Sequence, residues 1–276
     1  MPKKSIVKRL KTSSTAILVV LAVVIAASCT AQNPEPAQFD PQNDLLSLHY
    51  DHAPDKDDGQ SAAADRTLLE SLFDGEWIAR HTVAVSGTYG LNKPDFNPAS
   101  DPVMEAAFED VGGWRSAHRD WDGTVAAVAD RWQSVIDAGG DVWVKEGGQS
   151  DLTAAVVRYL READPDFPAY EQVHVIQHSG WNEDYTTPEA LEYVKSTTDY
   201  IRIADANSYL NIPGGDAAFE QAARAHPEFG PVWEAAFAYY DPAERLDFSD
   251  TGELLYLFDL DQLSIDEFRE RFLAAE

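Results

Sequence analysis

From Leu45 onward, short apolar runs alternate with longer segments whose apolar residues recur at helical spacing. Leu45–Tyr50 (LLSLHY) reads as a buried strand and Ser61–Leu72 as a helix. Thr82–Ser86 (TVAVS) reads as a second strand, ending in the turn Gly87-Thr88-Tyr89-Gly90. A short helix over Pro102–Asp110 follows, then an amphipathic one over Thr124–Ala138 that Gly139-Gly140 stops. Asp141–Lys145 is the next strand, Gly147-Gly148 a turn, and Leu152–Arg161 a helix. Val173–Gln177 is a strand, Pro188–Ser196 a helix with proline in its first turn, and Tyr200–Ala204 a short strand. Helices dominate the remainder. This alternation predicts an α/β fold: a mostly parallel sheet with helices on both faces. Ligands of such sheets sit outside the carboxyl ends of the strands, so the residues just after each strand are where chemistry belongs.

The N-terminal end departs from this pattern. Lys3, Lys4, Lys8, Arg9 and Lys11 precede an uncharged run from Ala16 to Ala27, with no acid among them. The run is shorter than the roughly 20 residues a membrane-spanning helix needs. A basic start, a short apolar core and small residues before a cut make the pattern of a secretory signal peptide. Ala26-Ala27-Ser28-Cys29 resembles a bacterial lipobox, with Ala where Leu is commoner. Cys29 is the only cysteine, so an internal disulfide is excluded. The alternative is an uncleaved anchor with an idle thiol. The expected organisation is a leader over residues 1–28, a lipidated Cys29 with a polar, proline-bearing tether to residue 44, and one domain over 45–276. Thr30 after the cysteine resembles an outer-membrane signal of Gram-negative lipoproteins. The expected location is therefore a membrane-anchored domain facing the periplasm or the cell exterior.

Charge narrows the partners. All 48 acidic residues lie after the leader, while five of the 21 basic ones lie within it. The exported part therefore carries 16 basic against 48 acidic groups, a formal charge of about −32. Such a surface repels phosphate backbones and excludes a nucleic-acid polymer as partner. Solubility explains it more simply than one basic partner does.

The loops after the strands hold the candidate chemistry. The first, Asp51-His52-Ala53-Pro54-Asp55-Lys56-Asp57-Asp58-Gly59, packs four carboxylates into eight residues. Held close, they need protonation or a cation, and an all-oxygen set selects a hard ion such as Ca²⁺ or Mg²⁺. The spacing is not an EF-hand, and the loop by itself also reads as a solvated acidic turn. The other loops are Glu146-Gly147-Gly148-Gln149-Ser150-Asp151, His178-Ser179-Gly180-Trp181-Asn182-Glu183-Asp184, and Asp247-Phe248-Ser249-Asp250-Thr251-Gly252-Glu253.

Taken in order, these loops resemble the nucleoside hydrolase superfamily, in its divergent branch. The family opens with a strand and an Asp-rich loop closing in Asp-Asp; here Asp51 ends the strand and Asp57-Asp58 close the loop. Its Ala-Gly-Asn turn corresponds to Ser86-Gly87-Thr88, and its Gly-Pro-Leu-Thr-Asn to Gly147-Gly148-Gln149-Ser150-Asp151. Its Asn-bearing loop and Asp-Pro-Glu-Ala-Ala helix correspond to Asn182 and Thr187-Pro188-Glu189-Ala190-Leu191. Its final His-Asp corresponds to Ser249-Asp250 before Leu254–Phe258. The resemblance runs from Leu45 to about Leu260 and implies a Rossmann-like fold and a calcium site. It implies Asp51, Asp58 and Asp250 as side-chain ligands and the Ser150 carbonyl as a backbone ligand. Asp57 would bind sugar hydroxyls or act as the base, with Asp51 the other catalytic candidate and Asp55 also available. Asn182 would contact the sugar, and Trp181 would stack on sugar or base.

Two departures stand out. Ala53 falls where the family has its water-activating aspartate, and Ser249 where many members carry a histidine acid. Serine cannot protonate a leaving base near neutral pH. His52 and His178 follow strands but read first as hydrogen-bonding loop residues; His49 and His174 lie within strands and read as structural. Trp114 and Trp121 read as part of an irregular loop that covers the site or packs on the sheet. The implied function is a Ca²⁺-dependent hydrolase of nucleosides or other small glycosides. The alternative is a lipoprotein of the same fold that binds metal and sugar without turnover. A metal phosphoesterase fits less well, because few histidines are placed as transition-metal ligands.

Overall fold

The structure is a computed structural model that describes residues 37–54, 56–90 and 96–274. The expected leader, Cys29 and Asp55 lie outside the described residues. The N-terminal half runs β1 (Leu45–Tyr50), α1 (Asp57–Leu72), α2 (Gly75–His81), β2 (Thr82–Ser86), α3 (Asp101–Phe108), β3 (Trp114–Ser116) and α4 (Trp121–Asp137). Then come β4 (Val142–Gly147), α5 (Asp151–Ala163), α6 (Ala169–Gln172), β5 (Val173–Gln177), α7 (Gly180–Tyr185), α8 (Pro188–Thr197) and β6 (Asp199–Arg202). The C-terminal part holds α9 (Asn207–Leu210), β7 (Asn211–Pro213), α10 (Ala217–Ala225), α11 (Gly230–Tyr239), β8 (Arg245–Asp247), α12 (Gly252–Leu257) and α13 (Ile265–Phe272).

Six strands form one parallel sheet in the order β3-β2-β1-β4-β5-β6. The chain starts mid-sheet, winds to one edge through β3, then returns across β1 to build the other half. The reversal between β1 and β4 opens a crevice at their carboxyl ends, the switch point where such sheets bind ligands. Both faces are covered, as the alternation of strands and helices requires. Leu46, Leu48 and Tyr50 of β1 and Trp143 of β4 join one core with α1, α3, α11 and α13. Leu45, Val142, Val144, Val173 and Val175 point the other way, into a second core with α4, α5 and α8. Burial on both sides explains why β1 and β4 are enclosed at every position. The histidines inside strands have structural partners. His49 bonds Ser47 Oγ at 2.9 Å and Glu146 Oε1 at 3.1 Å, and His174 stacks on Trp143 at 4.2 Å.

Two local expectations change and one short strand pair is added. Trp114 does not sit in a covering loop: it starts β3, an edge strand pairing Ala84 with Trp114 and Ser86 with Ser116, and Trp121 opens α4. A three-residue edge strand containing Arg and Ser carries almost no periodic signal. Helices dominate the C-terminal part as expected, with one short antiparallel pair, β7 and β8, added among them. The compact unit begins at Gln38, seven residues ahead of the expected domain start at Leu45. Phe39 meets Trp77, Trp143 and Phe258 edge-on at 6.3, 6.4 and 5.8 Å. Trp77 Nε1 donates to the Pro41 carbonyl at 2.7 Å, and Asp44 accepts from Trp143 Nε1 at 3.0 Å. Residues 38–44 thus pack at the amino ends of the strands, the pole opposite the crevice. Among the described residues, no helix is long and apolar enough to cross a membrane.

Candidate metal centre

β1 delivers Asp51 directly to the crevice, where it is 3 % exposed. Its Oδ1 accepts from the Ala53 N–H at 2.9 Å and its Oδ2 from Gln149 Nε2 at 3.0 Å. The chain then turns sharply, with His52 at φ +50°, and runs into α1. That helix starts at Asp57 rather than at Ser61, where the apolar pattern begins. Asp57 and Asp58 occupy its first turn, where unsatisfied N–H groups and the helix dipole favour negative charge. Asp58 Oδ2 accepts from the His52 N–H at 2.5 Å, which ties the helix start back to the β1 loop. Asp250 comes from the other end of the chain, in the 3₁₀ turn Ser249–Thr251 after β8. Its Oδ2 accepts from Ser61 Oγ at 3.3 Å, so a residue one turn into α1 holds it against the same helix.

These elements bring Asp57, Asp58 and Asp250 together, with one ligand atom of each within 4.8 Å of the others. The cluster can hold a metal ion. Asp58 Oδ1 is buried with no hydrogen-bond partner, a costly arrangement for a carboxylate and the donor a cation would satisfy. Burial raises the Asp58 carboxyl well above the ordinary aspartate range, and the charges of Asp51 and Asp250 push it further. A positive ion at the cluster reverses that penalty.

The cluster opens into a cavity of about 240 Å³ lined by Asp51, Asp57, Asp58, His178, Asn182 and Asp250, among others. Of the four expected metal ligands, Asp58 and Asp250 fall within the three-carboxylate set. Asp51 lines the same cavity beside that set. Ser150 does not line it: its carbonyl accepts from the Ala154 N–H at 3.0 Å in the first turn of α5, and Gly148 is the residue of that loop at the wall. Asp57, expected at the sugar, is the third member of the cluster. Asn182 and Trp181, the expected substrate contacts, both line the cavity from α7. Trp181 is 42 % exposed and stacks on Tyr185 at 3.8 Å. Ala53, where the family has an aspartate, is buried in an apolar group with Tyr89 and Phe96.

Gly148 fixes how closely the β4 loop approaches Asp51. It adopts φ +105°, and a Cβ there would stand 2.3 Å from Asp51 Oδ2. Gly148→Ala is therefore expected to lower stability by about 1–3 kcal/mol, from strain and displacement of Asp51. Urea unfolding of the variant and parent measures the difference.

The residue that sequence reasoning undervalued is His178. It follows β5 and is buried, with Nε2 2.9 Å from Asp250 Oδ1 and Nδ1 3.6 Å from Asp205 Oδ1. Burial favours its neutral form, but the bonds to Asp205 and Asp250 win and hold it up at about 9. The same contact works in reverse on Asp250: burial opposes ionisation, and His178 and Lys145 together hold that carboxyl down at about 2. Asp205 and Asp247 also line the cavity, and neither was singled out as a site residue from the sequence. Asp247 sits at about 6, raised by burial against the hydrogen bonds from Ser249. Ser249 itself donates its Oγ–H to Asp247 Oδ1 at 2.9 Å. Arg245, Asn207 and Asn211 complete a polar wall that only the missed β7–β8 pair could have pointed to.

Comparison with known proteins gives no match: no family model, no curated protein and no solved structure resembles the chain significantly.

Proposed function

We propose that the chain is a calcium-dependent hydrolase of N-glycosidic, nucleoside-like or other small glycoside bonds, held at the cell envelope through Cys29. The observation that carries this reading is the meeting of Asp57, Asp58 and Asp250 at the switch-point crevice. The resemblance of the loop sequence to the nucleoside hydrolase superfamily supplies the reaction class. Three hard oxygen donors, one of them a partnerless buried oxygen, fit calcium better than a transition metal. Bound there, calcium would lower the pKa of a water and hold a sugar diol, with Asp57, Asp58 and Asp250 as its carboxylate ligands.

The protein's own groups divide the remaining work. Asp57 is the half-buried member of the cluster and receives the proton of the attacking water. Asp51 has each oxygen engaged by a donor, Ala53 N–H on one and Gln149 on the other, which makes it the weaker base and the positioning carboxylate. Asn182 reaches the cavity from α7 to bond sugar hydroxyls, and Trp181 offers an aromatic face at the rim. Ser249 cannot serve as acid, since its proton is committed to Asp247. His178 takes that role: it lines the cavity and carries a proton at neutral pH.

Ala53 favours a second reading. Its burial against Tyr89 and Phe96 leaves no carboxylate where the family activates water. On that reading the chain is a lipoprotein that binds metal and sugar without turnover. Incubating the full chain with a panel of nucleosides separates the two. The hydrolase reading expects free base and free sugar in calcium and none in chelator. Calcium-dependent binding without release establishes the second reading, and neither binding nor release removes both.

A further inference from the structure

One wall of the cavity is set with nitrogen donors, and the short β7–β8 pair builds it. Antiparallel pairing sets Asn211 opposite Asp247 and Pro213 opposite Arg245. Side chains alternate between the two faces of a strand, so Arg245 and Asp247 share one face and Leu246 takes the other. Leu246 is buried in the core, which turns Arg245 and Asp247 towards the cavity. Gln60 of α1 fixes the strand: its Nε2 donates to the Arg245 carbonyl at 3.0 Å, and its Oε1 accepts from the Asp247 N–H at 2.7 Å. The wall is thus held to the helix that begins with Asp57 and Asp58.

A run of hydrogen bonds crosses this wall. Arg245 Nη1 donates to Asn211 Oδ1 at 3.1 Å, Asn211 Nδ2 to Asn207 Oδ1 at 2.7 Å, and Asn207 Nδ2 to Asp205 Oδ1 at 3.0 Å. All four residues line the cavity. The two ends of the run set its direction. A guanidinium only donates and a carboxylate only accepts, so both amides turn their oxygens towards Arg245 and their nitrogens towards Asp205. Each amide oxygen already accepts a bond, while each amide nitrogen keeps a second N–H. Arg245 Nε and Nη2 make no hydrogen bond among the described residues. The capacity left over at the wall is therefore N–H. The rest of the cavity is acidic, lined by Asp51, Asp57, Asp58, Asp247 and Asp250, so an anion at the wall would meet their repulsion. A neutral acceptor meets only the donors.

We infer that Asn207, Asn211 and Arg245 form the leaving-group subsite, and that it selects a neutral group rich in hydrogen-bond acceptors, such as the carbonyl-bearing edge of a nucleobase. This rests on the reading of the cavity as a metal-and-sugar site. Asp205 ties the wall to His178, whose Nδ1 is 3.6 Å from Asp205 Oδ1, so a group held here lies beside the proposed acid. A ligand without acceptors strips water from these N–H groups and returns no bond, which is the basis of discrimination by a polar wall. A wall that only joined β7 to β8 would show no preference among leaving groups.

Calorimetric binding to the full chain in saturating calcium tests this with carbon-linked ribosides, which resist hydrolysis. The probes are pseudouridine, a C-phenyl riboside and a C-carboxyphenyl riboside, with ribose as the sugar-only reference. The parent is expected to bind pseudouridine roughly tenfold tighter than the C-phenyl riboside, or better. Arg245→Met should weaken pseudouridine by roughly tenfold and the exposed Asn207→Ala by about threefold, while ribose and the C-phenyl riboside change by less than about twofold. Equal parent affinity for pseudouridine and the C-phenyl riboside overturns the inference. So does tightest binding of the C-carboxyphenyl riboside, or a loss in Arg245→Met that is the same for every probe. The two readings fail separately. Ribose bound in calcium with no preference among the ribosides removes the subsite alone, whereas no binding of any probe removes the metal-and-sugar reading with it.

Discussion

Saturating calcium is expected to raise the thermal midpoint of the parent protein, and Asp58→Ala to remove the rise. A ligand present at about 100 times its dissociation constant stabilises the folded state by about 2.7 kcal/mol. For a compact unit of this size that corresponds to a shift of roughly 5–10 °C. Asp58 is the residue to change because it enters the cluster with its partnerless Oδ1, while its Oδ2 is anchored by the His52 N–H. In chelator an opposing effect enters. Asp58 is a buried carboxyl repelled by Asp51 and Asp250, so its removal relieves a cost. That relief offsets part of the cost of losing the bond from the His52 N–H, and Asp58→Ala should gain nothing when calcium is added. A variant that still shifts with calcium would place the ion elsewhere.

His178→Gln is expected to reduce kcat/KM by about 10²–10⁴, the range attributed to a positioned acid. Glutamine keeps a hydrogen-bond donor near Asp250 but has no proton to give. Sugar affinity should change little, so the loss belongs to kcat. The pH profile carries the sign. The bonds to Asp205 and Asp250 hold His178 above the ordinary histidine value, and a general acid must be protonated to act. Activity should therefore hold at neutral pH and fall as pH rises on the alkaline side. The alkaline fall should disappear in the residual activity of His178→Gln. A variant that keeps parent-like kcat, or an unchanged alkaline limb, assigns the proton to another group.

What could be read beforehand follows from the range of each interaction. β1, β2 and β5 end where their apolar runs end, because burial on both faces makes the pattern continuous. β3 escaped because three residues at a sheet edge need no apolar pattern. The start of α1 escaped because Asp57 and Asp58 stabilise a first turn through charge, not through periodicity. Asp58 and Asp250 could be paired as candidate metal ligands only by loop order and resemblance, since 190-odd residues separate them in the chain. Ser150, given a ligand carbonyl by the resemblance, does not line the cavity, and its carbonyl accepts from the Ala154 N–H in the first turn of α5. His178 looked like any loop histidine until the fold set it beside Asp250, which lies 72 positions away. Lys145 gave no signal, because one basic residue in VWVKEG does not reveal that its ammonium is enclosed.

The central claim is that Asp57, Asp58 and Asp250 hold one divalent cation at the crevice. The most direct measurement is a crystal structure of the protein grown in calcium. The expected result is a single ion at bonds of about 2.3–2.6 Å to a carboxylate oxygen of each of the three residues. A calcium-saturated crystal with no ion at this cluster, or with the ion bound by other residues, would contradict it.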